Sequence, residues 1–140
     1  MPQRNKHGRG ILKPDAVAGC LFCEISRERI VLENELAYAI RDGFPVTPFH
    51  TLIIPKRHIE NYFGLTNSEL IACDALIHRA REQILIEDKF VEGFNIGMNS
   101  GAVAGQAIFH CHIHLIPRRP GDAEKPRDGD RHLIPGKGDY

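Results

Sequence analysis

The order of apolar and polar positions predicts several short strands. The segment IVLENELAYAIRD (30–42) has the pattern of two strands joined by a tight turn. HTLIIPKRH (50–58) contains a continuous apolar strand that a proline ends, and KFVEGFNIGMNSG (89–101) indicates a strand that runs into a glycine-rich loop. AIFHCHIHLIP (107–117) predicts the last strand, which also ends at a proline.

One long helix is predicted at residues 67–87. Thr66 and Glu69 form the capping-box pattern that begins a helix. Apolar residues then recur at three- and four-residue steps, which places them on one stripe: Leu70, Cys73, Ile77, Ala80 and Ile84. His78 lies outside this stripe and is predicted to face solvent. Several strands, one helix and short connections predict an α+β domain with an antiparallel sheet.

The composition is typical of a globular domain, with 42% apolar and 26% charged residues in a chain of 140. We predict a flexible N-terminal tail (1–19), one domain (20–119) and an irregular C-terminal tail (120–140). No apolar run approaches the ~20 residues of a membrane span, and the first residues lack the apolar core of a signal peptide. A cytoplasmic protein without a membrane partner is therefore expected.

Charge narrows the class of partner. Eighteen basic residues balance eighteen acidic ones, so the chain has no overall affinity for polyanions. No nucleic-acid partner is expected, and any phosphate binding must be local.

Three histidines alternate within five residues, at His110, His112 and His114. In a strand they would share one face, with neighbours ~6.5 Å apart. The residues around them would then face the core: Phe109, Cys111, Ile113 and Leu115. Three interpretations compete: a polar sheet face that happens to use histidine, a catalytic metal site, or a nucleophilic imidazole with orienting neighbours.

The loop before the row favours the nucleophile. GMNSGAVAGQ (97–106) contains three glycines, the last of them Gly105, whose backbone N–H groups can converge on an anion. Asn99 and Gln106 add neutral donors, and an Arg-Arg pair follows at 118–119. A histidine row joined to such a loop indicates chemistry at phosphorus.

The stretch NSGAVAGQAIFHCHIHLIPR (99–118) resembles the signature of the histidine-triad (HIT) family, in which three alternating histidines follow a Gly-Gln pair. CLFCEI, AYAIRD, PFHTLIIPKRHI and GFNIGMNSG resemble further family blocks in the same order, and the C-terminal PRDGDRHLIPGKGDY is similar to a tail of bacterial-type nucleotide hydrolases. The resemblance implies a HIT-like fold, with an antiparallel sheet of about five strands and one long helix. It also implies a homodimer with a sheet continuous across the interface.

The resemblance assigns the chemistry to the second histidine. His112 would attack the α-phosphorus of a nucleotide and form a nucleotidyl-histidine that water hydrolyses. Because the attacking nitrogen must be unprotonated, the other ring N–H should be held by an acceptor such as a backbone carbonyl. His114 and Gln106 would contact phosphate or bridging oxygens, while Asn99 and the backbone of Gly105 support the site.

The resemblance also places the nucleoside. Phe22, Ile25 and Ile40 would surround the base, although ordinary core packing explains these three apolar residues equally well. Asp42 would bind the ribose, since a carboxylate can accept two hydroxyl protons. His50 matches a family histidine that joins the cluster across the sheet.

Cys20 and Cys23 form a Cys-x-x-Cys pair that suits either a zinc half-site or a redox pair. A redox pair of the thioredoxin type should open a helix within a βαβ pattern, which this sequence lacks. Similarity to zinc-bearing relatives implies His58 and His110 as the other ligands of a structural zinc, with His50 a less favoured fourth ligand. No cofactor would be required for the chemistry itself.

The expected substrates are dinucleoside polyphosphates, such as diadenosine tetraphosphate, or nucleoside phosphoramidates. Ala107 departs from the Ser or Thr of many relatives and removes a hydroxyl whose hydrogen bond is worth ~0.5–1.5 kcal/mol, so we expect an altered rate or preference. Two alternatives remain: a nucleotide-binding or interaction module with little turnover, and a metal-dependent hydrolase that uses the histidine row.

Overall fold

The computed structural model describes residues 15–129, 133–135 and 137. His7 and His132, which the sequence places in solvated tails, lie outside them. The elements are five strands and one helix: β1 (Ile30–Glu33), β2 (Ala37–Arg41), β3 (Thr51–Pro55), α1 (Asn67–Glu87), β4 (Gly93–Gly97) and β5 (Ile113–Arg118). Short 3-10 turns precede, connect or follow these elements, at Arg27–Arg29, Tyr62–Gly64, Ala102–Ala104 and Pro126–Asp128.

The strands form a single antiparallel sheet in the order β1-β2-β3-β5-β4. This confirms the predicted α+β architecture of five strands and one long helix. β5 lies between β3 and β4, and in it His114 pairs with Leu52 of β3 on one side and with Gly97 of β4 on the other. Within the described part of the chain, every helix is too short or too polar to span a membrane.

The two faces of the sheet carry separate cores. The helix α1 packs on one face. Residues of the helix and of the sheet are buried between them: Ala39, Ile53, Cys73, Leu76, Ala80, Ile84, Ile113 and Leu115. The N-terminal segment covers the opposite face, where the buried cluster consists of Phe22, Tyr38, Ile40, Leu52 and Ile54. The Tyr38 hydroxyl donates to the Phe22 carbonyl at 2.5 Å, which holds that segment on the sheet.

The helix begins as predicted. The Thr66 hydroxyl accepts from the Glu69 N–H and the Glu69 carboxylate accepts from the Thr66 N–H, which completes the capping box. Arg57 donates two hydrogen bonds to the same carboxylate, and these lower the pKa of Glu69. The buried stripe differs from the predicted one in one respect: Leu76 is fully buried at its centre, whereas Leu70 and Ile77 lie at its margins.

The predicted last strand is wrong in its first half. β5 begins only at Ile113, and residues 108–112 are irregular. Phe109 is 44% exposed and His110 is completely buried, the reverse of the predicted alternation. The physical reason is that this stretch pairs with the loop after β3: the Cys111 N–H donates to the Ile59 carbonyl at 2.7 Å. From Cys111 onward the alternation holds, because Cys111, Ile113 and Leu115 are buried.

Candidate active site and metal centre

The glycine-rich loop closes tightly before the histidines. Gly101 and Gly105 have φ of 97° and 95°, a left-handed region that favours glycine. A Cβ on Gly105 would also lie 3.2 Å from Nδ2 of Asn99. The loop therefore brings the Asn99 side chain against Gly105.

Gln106 is buried at the end of this loop. Its Oε1 accepts from the Gly101 N–H at 2.8 Å, and its Nε2 donates to the carbonyls of Glu60 at 2.6 Å and Ile108 at 3.1 Å. The amide is thus occupied by backbone groups and fixes the loop. A contact between Gln106 and phosphate would require one of these bonds to break.

His112 is half-buried and has one committed ring nitrogen. Its Nδ1 lies 2.8 Å from the carbonyl oxygen of His110. Because a carbonyl only accepts, Nδ1 carries the proton and Nε2 presents a lone pair. The ring also packs edge-on against Phe22, at 5.1 Å between centroids. The carbonyl contact that a nucleophilic imidazole requires is present.

A second chain of hydrogen bonds ends at His114. The Val46 N–H donates to Nδ1 of His50 at 3.1 Å, so the His50 proton sits on Nε2. That nitrogen lies 2.9 Å from Nδ1 of His114, which must accept and therefore carries its own proton on Nε2. Burial lowers the pKa of both His50 and His114, which keeps these imidazoles neutral. The rings of His114 and His112 lie 5.3 Å apart.

Asp42 lies beside this chain. Its Oδ2 is 3.5 Å from Nε2 of His50, and its Oδ1 accepts from the Phe44 N–H at 2.8 Å. Asp42, His50 and His114 could by proximity hold a metal ion. The proton on Nε2 of His50 excludes that, since a ligand nitrogen needs a free lone pair, so the trio is a hydrogen-bonded group.

The loop that carries His50 is strained at the preceding residue. Phe49 has φ of 68°, which is uncommon for any residue other than glycine. Its ring packs against the helix-side core and lies 5.3 Å from the guanidinium of Arg41, which also donates to the Thr51 hydroxyl. Sequence reasoning missed Phe49 and Val46, because neither residue type indicates backbone geometry.

The nucleoside residues divide between core and surface. Ile40 is completely buried, which corrects the expectation that it lines the base: it is a core residue of the sheet. Phe22 is also buried and touches the ring of His112. Ile25 is only partly buried at the edge of the same cluster. The reason is that the N-terminal segment packs directly onto β2.

The arginine pair does not join the site. Arg118 forms a two-point ion pair with Asp122, and Arg119 donates to Asp88 and to the Pro48 carbonyl. Both guanidinium groups therefore make structural contacts, and among the described residues Nη1 of Arg119 is buried without a hydrogen-bond partner. Arg118 also lies at the end of β5 remote from His112.

The predicted metal ligands Cys20, Cys23, His58 and His110 come together, and His50 is not among them. Cys23 Sγ lies 3.2 Å from Nδ1 of His58, and Cys20 Sγ lies 3.5 Å from Nδ1 of His110. The two Nδ1 atoms are 3.2 Å apart. Tetrahedral zinc, at ~2.3 Å from sulfur and ~2.0 Å from nitrogen, requires ligand atoms about 3.3–3.7 Å apart. The donor set and its spacing fit this ion.

Protonation in the cluster also suits a cation. Nε2 of His110 lies 2.8 Å from the Pro55 carbonyl, so it carries the proton and Nδ1 is a lone pair directed at the thiols. Burial raises the pKa of Cys23 to about 11, so its thiolate needs a cation nearby. The remaining cysteines, Cys73 and Cys111, are buried as small apolar residues.

Comparison with protein families matches residues 24–121 to the HIT domain. An uncharacterized HIT-like protein of Mycoplasma genitalium is 36% identical over 114 residues, covering 76% of this chain and 78% of its own length. The adenylylsulfatase HINT3 of Arabidopsis thaliana is 35% identical over 107 residues, covering 74% of this chain and 54% of its own length.

Solved structures with the same fold include three of direct interest. A hypothetical histidine triad nucleotide-binding protein of Sulfolobus tokodaii has a TM-score of 0.67 and 39% identity, covering 73% of this chain and 70% of its own. A HIT family hydrolase of Clostridium thermocellum has a TM-score of 0.64 and 34% identity, with coverage of 75% and 95%. A Zn-bound histidine triad protein of Mycobacterium smegmatis has a TM-score of 0.68 and 32% identity, with coverage of 74% and 78%.

Proposed function

Because the chain belongs to the HIT domain family, we propose that it hydrolyses phosphoanhydride or phosphoramidate bonds of nucleotides through a covalent intermediate on His112. One observation carries the proposal: the His110 carbonyl holds Nδ1–H of His112 at 2.8 Å and leaves Nε2 bare. The relatives named adenylylsulfatase and HIT family hydrolase support turnover in addition to binding.

In the first step, Nε2 of His112 forms a bond to the α-phosphorus, and the bond from phosphorus to the leaving group breaks. The leaving group departs with the electron pair: a polyphosphate as an anion, an amine after taking a proton from solvent. The His110 carbonyl stabilises the positive ring that results. Water then adds to phosphorus and releases a proton to solvent, the P–N bond breaks with its electron pair returning to Nε2, and a nucleoside monophosphate leaves with His112 restored.

His114 is proposed to bind the non-bridging or bridging oxygens. The chain from Val46 through His50 leaves the Nε2–H of His114 as a free donor beside His112. A neutral N–H donor stabilises the negative charge that develops on the phosphate oxygens and does not protonate Nε2 of His112. Asn99 and the Gly105 backbone complete the proposed phosphate site.

The substrates proposed are dinucleoside polyphosphates or nucleoside phosphoramidates. Asp42 has lone pairs left for the ribose hydroxyls, and Ile25 is the accessible apolar residue for a base.

We also propose one structural zinc ion at Cys20, Cys23, His58 and His110, which the Zn-bound relative of Mycobacterium smegmatis supports. When bound, the ion compensates the thiolate charge and joins the N-terminal segment to the sheet. The ion itself does not contact the reacting phosphate in this proposal. The thiols of the cluster are therefore ligands and have no redox role.

A homodimer through the edge strand β4 is proposed as well. Among the described strands β4 pairs only with β5, so its other edge is open, and Ile96 on it is 58% exposed. Pairing of two β4 edges would continue the sheet across the interface. An Ile96→Lys variant should then shift the mass measured by light scattering from dimer to monomer.

The nucleophile is tested by intact-mass analysis of quenched reactions with adenylated and guanylated compounds. Wild type should gain the mass of one nucleotide, and His112→Ala should not. His78→Ala, on the exposed face of α1, is the matched control and should label like wild type. We expect His112→Ala to lower kcat by about 10⁴-fold or more, as for other nucleophiles.

The same experiment separates the two alternatives. A binding module would bind nucleotide without labelling or turnover in any variant. A metal-dependent hydrolase would lose activity with a chelator yet retain it in His112→Ala. Either result would contradict the proposed intermediate.

A further inference from the structure

We propose that His110 couples the cluster of Cys20, Cys23 and His58 to the nucleophile, so that metal occupancy sets the tautomer and orientation of His112. The inference rests on the function and the zinc proposed above. His110 is a positioning residue in this scheme, because its ring is directed into the cluster, away from the proposed phosphate site.

Both ring nitrogens and the carbonyl oxygen of His110 contact a polar partner. Nδ1 lies 3.5 Å from Cys20 Sγ, and Nε2 lies 2.8 Å from the Pro55 carbonyl. The carbonyl oxygen of the same residue lies 2.8 Å from Nδ1 of His112. The side chain is completely buried. A ring held at both nitrogens fixes the backbone that presents the carbonyl.

The peptide group between His110 and Cys111 is held from its other side as well. The Cys111 N–H, in the same plane as the His110 carbonyl, donates to the Ile59 carbonyl at 2.7 Å. Ile59 directly follows His58, which is itself a member of the cluster. Two residues of the cluster therefore constrain the orientation of this peptide plane. His110 does so through its ring, and His58 does so through the carbonyl of the next residue, Ile59.

The rings provide a parallel contact. Phe22 lies between the two cysteines in sequence and packs against both histidines, at 5.9 Å from the His110 ring and 5.1 Å from the His112 ring. A rearrangement of Cys20 and Cys23 would move Phe22. The orientation of His112 thus depends on the cluster through backbone and side chain together.

The chemical consequence follows from imidazole tautomers. With its Nδ1–H on a fixed carbonyl, His112 presents a bare Nε2. If the peptide plane turns, the ring loses this acceptor, and the tautomer with the proton on Nε2 becomes populated. That tautomer cannot attack phosphorus.

The test compares zinc-loaded protein with protein stripped by a chelator, using ring ¹⁵N chemical shifts of labelled histidine. We expect one His112 tautomer, protonated at Nδ1, in the loaded form, and both tautomers after stripping. We also expect a fall in kcat of about 10- to 100-fold with little change in KM, reversed by zinc. A folded, metal-free protein with an unchanged tautomer and unchanged kcat would overturn the coupling, as would a folded chain that binds no zinc.

Two variants keep the test decisive if the stripped chain unfolds. His58→Cys and His110→Cys both retain four zinc ligands, but only the second loses the ring that reaches the Pro55 carbonyl. His110→Cys should show mixed His112 tautomers and the lower kcat, whereas His58→Cys at the same zinc content should keep the single His112 tautomer protonated at Nδ1. Identical behaviour of the two variants would overturn the proposal.

Failure of this inference and failure of the proposed function have different signatures. If no nucleotide adduct forms on His112 in any state while its tautomer still follows zinc, the function fails and the coupling stands. If an adduct forms equally fast with and without zinc, the function stands and the coupling fails.

Discussion

Two clusters lie on either side of His112: Cys20, Cys23, His58 and His110 form one, and Asp42, His50 and His114 form the other. A histidine of the first directs a lone pair at its neighbours, whereas a histidine of the second directs a proton at its neighbour. The Pro55 carbonyl accepts from Nε2 of His110, so the nitrogen that faces the thiols is a lone pair. The Val46 N–H donates to Nδ1 of His50, so the nitrogen that faces His114 carries a proton. The backbone group behind each ring, more than the residue type, therefore decides which ring nitrogen offers a lone pair and which carries a proton.

The largest expected effect concerns the metal. Because the group of Asp42, His50 and His114 has no free lone pair on His50, each chain should bind one zinc ion, not two. Removal of a structural zinc should cost on the order of 5 kcal/mol and lower Tm by roughly 15 °C. Metal analysis by mass spectrometry and calorimetry would measure both.

Matched variants sharpen this prediction. Cys23→Ser should lose the ion, and Asp42→Asn should keep a stoichiometry of one. A zinc content of two per chain in wild type that falls to one in Asp42→Asn would show that both clusters bind zinc. It would contradict the assignment of Asp42, His50 and His114 as a hydrogen-bonded group.

The second prediction concerns His50. In His50→Ala, His114 loses the donor that fixes its tautomer, and kcat should fall by about 10- to 100-fold, the usual cost of such a supporting hydrogen bond. His50→Gln retains an N–H donor and should recover part of the loss. Steady-state kinetics with the zinc content measured in parallel would test this, and a loss of zinc in His50→Ala would show that the clusters are not independent.

Sequence patterns predicted the elements and the site residues unevenly. The capping box at Thr66 and the grouping of Cys20 and Cys23 with two histidines could be predicted, because each depends on residue type and spacing. The carbonyl of Pro55 and the N–H of Val46 could not, because every residue carries such groups and only the fold aims them. Those two backbone groups determine which ring nitrogen of His110 and of His50 carries the proton.

The same distinction explains the errors. Alternation in a regular strand predicts His110 on the same face as His112. The segment is irregular, and the ring of His110 is buried with its Nε2 at the Pro55 carbonyl. Ile40 was expected to line a ligand, but an apolar side chain is equally suited to a core and packs there. Residue type does not distinguish a lining residue from a packed one when both are apolar.

The third prediction is a loss of stability in acid. In the unfolded chain His50 and His114 take up protons below about pH 6.5. Burial lowers the pKa of both in the folded protein, which therefore binds fewer protons in this window. The free energy of unfolding should then fall as the pH drops below about 6.5, until the folded pKa values are reached.

Denaturant unfolding from pH 8 to pH 5 would measure this fall. His50→Gln should flatten the dependence, and the exposed His78→Gln should leave it as in wild type. An equal slope in wild type and His50→Gln would mean that His50 does not contribute, and the neutral hydrogen-bonded chain would need revision.

The smallest effect is expected from Ala107→Ser, which adds a hydroxyl next to Gln106. Ala107 is exposed, so Tm should hardly change, while one hydrogen bond of ~0.5–1.5 kcal/mol could alter kcat/KM by about 2- to 10-fold. If the hydroxyl assists departure, an amine leaving group should gain more than a polyphosphate, which is already a stable anion. The ratio of kcat/KM for a phosphoramidate and a dinucleoside polyphosphate measures this, with Ala104→Ser in the same loop as the control. An equal gain on both substrates would mean that the hydroxyl binds phosphate, and a similar gain in Ala104→Ser would remove position 107 from the site.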